Sequence, residues 1–154
     1  ASVAGGTSTL TQSPSRPDGV AVCAGRLVAW IPGRLRNPLN RGKGEHWAVA
    51  ARERKGWRER TMLCCKDAMH RAKWRYHPAE PKLVVMTAYV WNLYDEDALG
   101  PAMKSVQDGL VDAGLIHGDG PKSGHRITRR QEINRRHRGV EVVVEPGYEE
   151  ARNG

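Results

Sequence analysis

The feature that most constrains the fold is the run KLVVMTAYVW at residues 82–91, which is rich in β-branched and aromatic side chains. Such side chains favour a pleated, half-buried strand. Pro78 and Pro81 break the chain just before the run, so the strand cannot continue an earlier element. We therefore predict one strand over these residues.

An amphipathic helix is predicted directly after this strand. Its apolar residues recur at the three- and four-residue spacing of one helix face: Leu99, Met103, Val106, Leu110 and Ala113. Pro101 suits the first turn of a helix, and Gly114 suits its C-terminal stop. A glycine-rich loop is predicted over 117–125.

The N-terminal half predicts a strand and a long helix. The segment RLVAWI at 26–31 is short and apolar and stops at Pro32-Gly33, which indicates a first strand with a start as early as Val20. Residues 33–45 read as a loop. From about His46 to Lys73 we predict a basic amphipathic helix, with one apolar face formed by Trp47, Ala50, Trp57, Cys64 and Ala68.

The C-terminal part predicts two more strands. Arg126–Ile133 and Val140–Glu145 are separated by a short polar segment, so we expect them to pair as a hairpin. The composition of residues 1–19 indicates a flexible N-terminal tail, and 148–154 a frayed C-terminal one. The remaining 20–147 are expected to form one domain.

The charge balance favours an anionic partner. The chain has 154 residues, enough for one domain, and a formal net charge of +8. A basic domain of this kind commonly binds nucleic acid, although a merely basic globular protein would have the same charge. No apolar run reaches the roughly 18 residues of a membrane span.

The three cysteines favour a reducing compartment. Cys23, Cys64 and Cys65 are odd in number and two are adjacent, which argues against a disulfide framework. We expect a cytoplasmic protein, and the N-terminus shows no charged-then-apolar signal peptide. A zinc site that adds His70 and His77 is disfavoured, because adjacent cysteines face different sides of a helix and CxxC spacing is absent.

Three aspartates and a lysine carry the functional prediction: Asp95, Asp97, Lys104 and Asp119. Acidic side chains in a basic protein repel the polyanion that the protein would bind, so their presence needs a reason. Divalent metal ions such as Mg²⁺ take carboxylate oxygens and bridge them to phosphate. The combination indicates a metal-dependent nuclease.

Each of these residues also has an ordinary structural interpretation. Asp95 and Asp97 suit the N-terminus of a helix, and Lys104 with Asp108 suits a surface i,i+4 pair. Asp119-Gly120 suits a turn. Residue spacing alone leaves an enzyme and a binding module about equally supported.

The sequence around these residues resembles the RusA family of Holliday junction resolvases. The family pattern is Asp-x-Asp-Asn, a helix with Lys and Asp-x-Leu, and then Gly before an Asp-Asp pair. The matching stretches are YDED at 94–97, MKSVQDGL at 103–110 and AGLIHGDGPK at 113–122. Looser likeness extends from about 26 to 146, through PGRL at 32–35, PLN at 38–40 and GVEV at 139–142. The chain departs from the pattern at Ala98, where the family has Asn, and at Gly118, where it has the first Asp of the pair.

The resemblance implies an α/β (α+β) single domain, with a small mixed β-sheet and two main α-helices packed on it. It implies Mg²⁺, or Mn²⁺ in its place, held by Asp95, Asp97 and Asp119, with Lys104 as the catalytic lysine. The implied activity is endonucleolytic resolution of Holliday junctions, four-way branched DNA, in recombination and repair. It also implies a homodimer and a bacterial or phage source.

Basic residues near the predicted site are the candidate DNA contacts. The first loop contributes Arg34, Arg36, Asn40, Arg41 and Lys43. The late part of the chain contributes Lys122, Arg126, Arg129, Arg130, Arg135, Arg136 and Arg138. Two rival interpretations stay open: a non-catalytic DNA-binding module, which Ala98 and Gly118 favour, and a nuclease for other branched DNA.

Overall fold

The structure is a computed structural model, and it describes residues 22–23, 25–36 and 47–147. The described part is a single mixed β-sheet with two α-helices packed on it, as predicted. The tails predicted at 1–19 and 148–154 and most of the loop predicted at 33–45 lie outside the described residues.

The elements follow one another in the predicted order. They are β1 (Val22–Cys23), β2 (Arg26–Pro32), α1 (Trp47–Ala72), β3 (Lys82–Val90), α2 (Glu96–Asp112), a 3₁₀ turn (Pro121–Ser123), β4 (Arg126–Ile133) and β5 (Gly139–Pro146). The early start predicted for the first strand corresponds to a separate strand, β1, which pairs antiparallel with β2. Gly25 lies between the two strands with φ of 81°, a conformation that glycine adopts readily.

The strand order is β1-β2-β5-β3-β4. Strand β3 pairs antiparallel with β5 on one side and parallel with β4 on the other. The predicted hairpin of β4 with β5 is therefore wrong, because β3 lies between them. Strand β3 is apolar on both faces and buries best as an inner strand, while the polar β4 tolerates the solvated edge. With α2 as the crossover, β3 and β4 form a βαβ unit.

Both helices pack on the same face of the sheet. Alternate residues of β2, β3 and β5 join residues of α1 and α2 in one buried apolar cluster. From α1 the buried residues are Trp57, Thr61, Cys65 and Ala68. The predicted α1 face is thus wrong at two positions: Trp47 is 75% exposed, and Cys65 rather than Cys64 is fully buried.

The two helices are in close contact at Gly109. A Cβ atom there would lie 2.6 Å from Thr61 Cβ and 2.7 Å from the Arg58 carbonyl oxygen, so only glycine fits without a shift. Next to this crossing, the Arg58 guanidinium donates to both carboxylate oxygens of Asp112 at 2.5 and 2.9 Å. These contacts fix the position of α2 relative to α1.

Helix α2 begins earlier than its proline suggested. Asp95 is the N-cap residue, so Pro101 lies in the second turn rather than in the first. Its ring lacks the N–H that would bond to the Asp97 carbonyl. At the other end Gly114 has φ of 80°, and the Leu115 N–H donates to the Leu110 carbonyl, as in a Schellman motif. The predicted stop at Gly114 is confirmed.

The topology gathers three loops at one edge of the sheet. Strands β2 and β3 both run antiparallel to β5, and β4 runs parallel to β3, so β2, β3 and β4 end at the same edge. We call the segments that follow them, 33–36, 91–95 and 134–138, the carboxyl edge. Open α/β sheets commonly bind ligands beyond the carboxyl ends of their strands. Among the described residues, no helix combines the length and apolarity needed to cross a membrane.

Candidate functional site

The loop after α2 brings Asp119 back to the middle of that helix. The Lys104 ammonium donates to Asp119 Oδ2 at 2.7 Å, and Gln107 Nε2 donates to the same oxygen at 3.0 Å. Lys104 also pairs with Asp108 Oδ1 at 3.1 Å, the i,i+4 contact expected from the sequence. Two of the four residues assigned by the RusA resemblance are thus in direct contact.

Gln107 connects this contact to the sheet. Its side chain is 3% exposed, and its Oε1 accepts from Arg129 Nε on β4 at 2.6 Å. A single polar network therefore joins the loop, the helix and the edge strand, formed by Lys104, Gln107, Asp108, Asp119 and Arg129. Because Gln107 uses both ends of its amide, it holds Asp119 and Arg129 at fixed positions.

The hydrogen bond between Lys104 and Asp119 shifts the pKa of both residues. The hydrogen bond from Lys104 is the main cause that lowers the pKa of Asp119, and Gln107 adds to it. The Asp119 and Asp108 carboxylates raise the pKa of Lys104. Lys104 is therefore a fixed cation at neutral pH, and Asp119 is a fixed anion.

Asp95 and Asp97 lie at the N-terminus of the same helix and are exposed. The Asp95 side chain makes no hydrogen bond to the first turn, so its carboxylate is not used as a cap. Asp97 precedes Lys104 by seven residues, which places both on one face of α2 about 10 Å apart along the axis. The acidic pair and the Lys104–Asp119 pair thus lie along one side of the helix.

The described arrangement does not form a ligand set for a divalent ion. Among the residues that the structure describes, no three His, Cys, Asp or Glu side chains are grouped closely enough to hold a metal. The Asp119 carboxylate is instead neutralised by Lys104 and bonded by Gln107. For Asp95, Asp97 and Asp119 to share an ion, the loop that carries Asp119 would have to move toward the helix N-terminus.

The segment that leads into Asp95 is held rigidly. The Gln131 side chain accepts from the Tyr94 N–H and donates to the Tyr94 carbonyl, each at 2.8 Å. The Tyr94 hydroxyl donates to the Leu35 carbonyl in the loop after β2. Burial of this hydroxyl raises the pKa of Tyr94. Asp95 therefore starts from a position that both β4 and the β2 loop determine.

A groove runs between the start of α2 and β4. Its volume is about 670 Å³, and its walls are Glu96, Leu99 and Gly100 on the helix and residues 126–131 on the strand. Arg126, Arg129 and Arg130 are exposed on that strand. The groove therefore has a basic wall facing the acidic N-terminus of α2.

The other predicted DNA contacts divide into three groups. Arg34 and Arg36 are exposed at the carboxyl edge, and Arg36 pairs with Glu53 of α1 at 2.5 Å. Arg135, Arg136 and Arg138 are exposed at the same edge, and Lys122 is exposed in the 3₁₀ turn. Asn40, Arg41 and Lys43 lie outside the described residues.

Two glutamines were missed by the sequence analysis. Gln107 follows Lys104 by three residues, a spacing that places both on neighbouring positions of one helix face, and this could have identified it. Gln131 gave no such indication, because its partner Tyr94 is 37 residues away. His117 contacts the Pro78 carbonyl and the His125 ring, so its side chain faces the turn before β3.

No family model matches this chain, and no curated protein matches it significantly.

Proposed function

We propose that this domain is an endonuclease of the RusA type, which cuts branched DNA such as a Holliday junction by phosphodiester hydrolysis. The observation that carries the proposal is the contact between Lys104 and Asp119, which are 15 residues apart in the chain. The resemblance assigns both residues to one site, and their contact supports that assignment.

The shared helix face gives the second support. Asp97 and Lys104 lie on the same side of α2, and Asp95 directly precedes it. In the proposed reaction Lys104 is a fixed cation beside the attacked phosphate, where it stabilises the negative charge that develops in the transition state. The pairing with two carboxylates keeps its ammonium protonated.

The arginines would bind the DNA backbone. Arg126, Arg129 and Arg130 line the groove beside the α2 N-terminus, and further arginines surround the carboxyl edge. Guanidinium groups bind phosphate in a bidentate manner. Because this binding is independent of sequence, it positions the backbone and leaves the choice of substrate to the shape of the DNA.

The metal and the oligomeric state are parts of the proposal that rest on the resemblance. We propose Mg²⁺, or Mn²⁺ in its place, as the cofactor, which would supply an activated water to the reaction. We also propose a homodimer, because two opposed cuts in a four-way junction suit a two-fold symmetric enzyme.

A non-catalytic DNA-binding module is the alternative. The observation that favours it is that no three acidic, histidine or cysteine side chains of the described residues are grouped closely enough to hold a metal. The departures at Ala98 and Gly118 point the same way, since both flank proposed ligands. Such a module would bind branched DNA without a metal and would not cut it.

The test is a cleavage assay on a synthetic four-way junction and a linear duplex of equal length, with and without Mg²⁺. We expect the wild type to cut only the junction and only with Mg²⁺, and Asp97→Asn to bind it without cutting. Asp67→Asn is the control, because Asp67 is an exposed carboxylate of α1 paired with Arg71. Equal cutting by the wild type and Asp97→Asn would reject the assigned site, and binding without any cutting would establish the alternative.

A further inference from the structure

Several exposed large hydrophobic side chains lie at the carboxyl edge or at the strand end beside it. Six are exposed among the described residues, and three of them are Trp91 at 49%, Leu93 at 57% and Ile133 at 51%. Ile133 ends β4 opposite Val90, so it lies next to the segment that begins with Trp91. Single exposed apolar residues are ordinary, whereas a local group of them marks a binding surface.

Trp91 is held in place by arginines. The Arg135 guanidinium lies 5.1 Å from the centre of the Trp91 ring, and that of Arg138 lies 5.7 Å from it. Arg135 Nε also donates to the Trp91 carbonyl at 3.3 Å. Contacts at these distances are cation–π interactions, and they orient the indole at the surface.

Trp91 also forms part of the wall of a cleft of about 240 Å³. Arg34 and Arg138 stand on this wall, and none of the described residues that line the cleft is acidic. The two hydrogen bonds between the Gln131 side chain and the Tyr94 backbone fix the segment on the far side of the cleft. The cleft therefore combines an aromatic surface with positive charge and is already formed in the protein alone.

We propose that this cleft takes one unpaired nucleobase of the DNA, which stacks on Trp91 while Arg34 and Arg138 contact the flanking phosphates. The inference rests on the proposed function, because it names the feature of branched DNA that this domain would recognise: a base that has lost its partner at the branch point.

The position of Trp91 agrees with this assignment. Asp95 follows Trp91 by four positions, a span of about 14 Å at most. That span equals about four base steps at 3.4 Å each, so a base held at Trp91 would lie within a few base steps of Asp95, at the N-terminal end of the proposed site.

The combination of groups favours a nucleobase over an apolar partner. Every base has a π-face, so stacking on an aromatic side chain does not depend on sequence, and positive charge beside it binds the backbone. A purely apolar protein partner would gain nothing from Arg34, Arg135 and Arg138. A paired base inside a duplex could not reach the indole.

The test measures binding without cutting, in buffer that contains EDTA and no metal. One probe is a four-way junction with a single unpaired nucleotide at its branch point, and the other is a linear duplex of equal length. The variants are Trp91→Leu and Trp91→Phe, and circular dichroism checks their fold. The control is Tyr76→Leu, which removes an exposed aromatic side chain located before β3, at the opposite edge of the sheet.

We expect Trp91→Leu to lose about 5- to 150-fold in affinity for the junction, the effect of losing one stacked base, with duplex affinity unchanged. Trp91→Phe should keep most of the affinity, and Tyr76→Leu all of it. An equal loss on both probes, or no loss on either, would overturn the proposal.

The result of this binding test does not depend on whether the protein cuts DNA. If the junction is bound in this way but never cut with Mg²⁺, the stacking site stands and the nuclease assignment fails. If the junction is cut and Trp91→Leu binds it like the wild type, the nuclease assignment stands and the stacking site fails.

Discussion

The Lys104 ammonium lies 2.7 Å from the Asp119 carboxylate, across the gap between helix α2 and the loop that follows it. Gln107, one helical turn further on, donates to the same carboxylate oxygen and accepts from Arg129 on β4. Two of the four residues that the RusA resemblance marks, Lys104 and Asp119, are thus part of a network that joins three elements of the fold.

Removal of the Lys104 charge should slow cleavage more than it weakens binding. We expect Lys104→Met to lower the single-turnover rate on a four-way junction by about 10²- to 10³-fold, as for loss of one transition-state donor. Lys104→Arg should keep part of the rate because it keeps the charge. Lys55→Met is the control, since Lys55 is an exposed lysine paired with Glu59 on α1. A Lys104→Met rate equal to that of Lys55→Met would remove Lys104 from the mechanism.

The pairing of Arg58 with Asp112 should make stability depend on pH. The hydrogen bond from Arg58 lowers the pKa of Asp112 below its ordinary value of 3.8. A lowered carboxylate pKa stabilises the folded state above the ordinary value, and the effect is lost as the pH falls through the lowered one. Asp112→Asn should therefore be less stable than the wild type at pH 7 and equally stable well below pH 3.8.

Urea denaturation at both pH values measures this difference. Asp67→Asn is the matched control, because its arginine partner lies one turn away on the same helix and ties no two elements together. If the difference in free energy of unfolding between Asp112→Asn and the wild type stayed constant down to acid pH, the ion-pair explanation would be contradicted.

Alanine substitutions at two glycines of α2 should change the free energy of unfolding in opposite directions. Gly109→Ala places a methyl group against Thr61 and the Arg58 carbonyl, so we expect a loss of about 1–3 kcal/mol from overpacking. No atom lies within 4 Å of the Cβ position at Gly100. Gly100→Ala should therefore raise the free energy of unfolding by about 0.4–1 kcal/mol. Urea denaturation of both variants checks the crossing, and a stabilised Gly109→Ala would show that the helices are not this close.

Junction binding should weaken steeply with salt. If about six arginine or lysine side chains contact phosphates, the association constant should fall about 10³-fold between 50 and 200 mM salt. Arg130→Gln should reduce the slope of the log–log plot by about one unit, and Arg75→Gln, located before β3, should leave it unchanged. Fluorescence anisotropy with a labelled junction gives both slopes, and equal slopes for the two variants would exclude Arg130 from the contact surface.

The sequence predicted the elements well because each has its own local pattern. The short apolar segment of β2 that stops at Pro32-Gly33, the apolar run of β3 and the 3,4-spaced stripe of α2 each depend only on nearby residues. The pairing of the strands with one another does not depend on nearby residues alone. The five-residue connection between β4 and β5 favoured a hairpin, whereas the burial of β3 between them is a property of the whole sheet.

The candidate site was predictable in part for the same reason. The sequence placed Asp95 and Asp97 at the start of the helix after β3; Asp95 is its N-cap residue, whereas Asp97 lies within its first turn. It could not give the path of the loop that returns Asp119 to Lys104, because glycine-rich segments have no periodic pattern to follow. The predicted face of α1 was wrong at Cys64, because the buried residues Trp57, Thr61, Cys65 and Ala68 include a threonine that the apolar pattern did not count.

The central claim is that the residues on the Lys104 side of α2, together with Asp119, form a site that cuts DNA. The most direct test is the single-turnover rate of Asp119→Asn on a four-way junction with Mg²⁺, measured at saturating protein. We predict a rate at least about 10²-fold below that of the wild type, with junction affinity retained because a negative charge has been removed beside the DNA. A variant that cuts as fast as the wild type, or a wild type that does not cut the junction, would contradict the account.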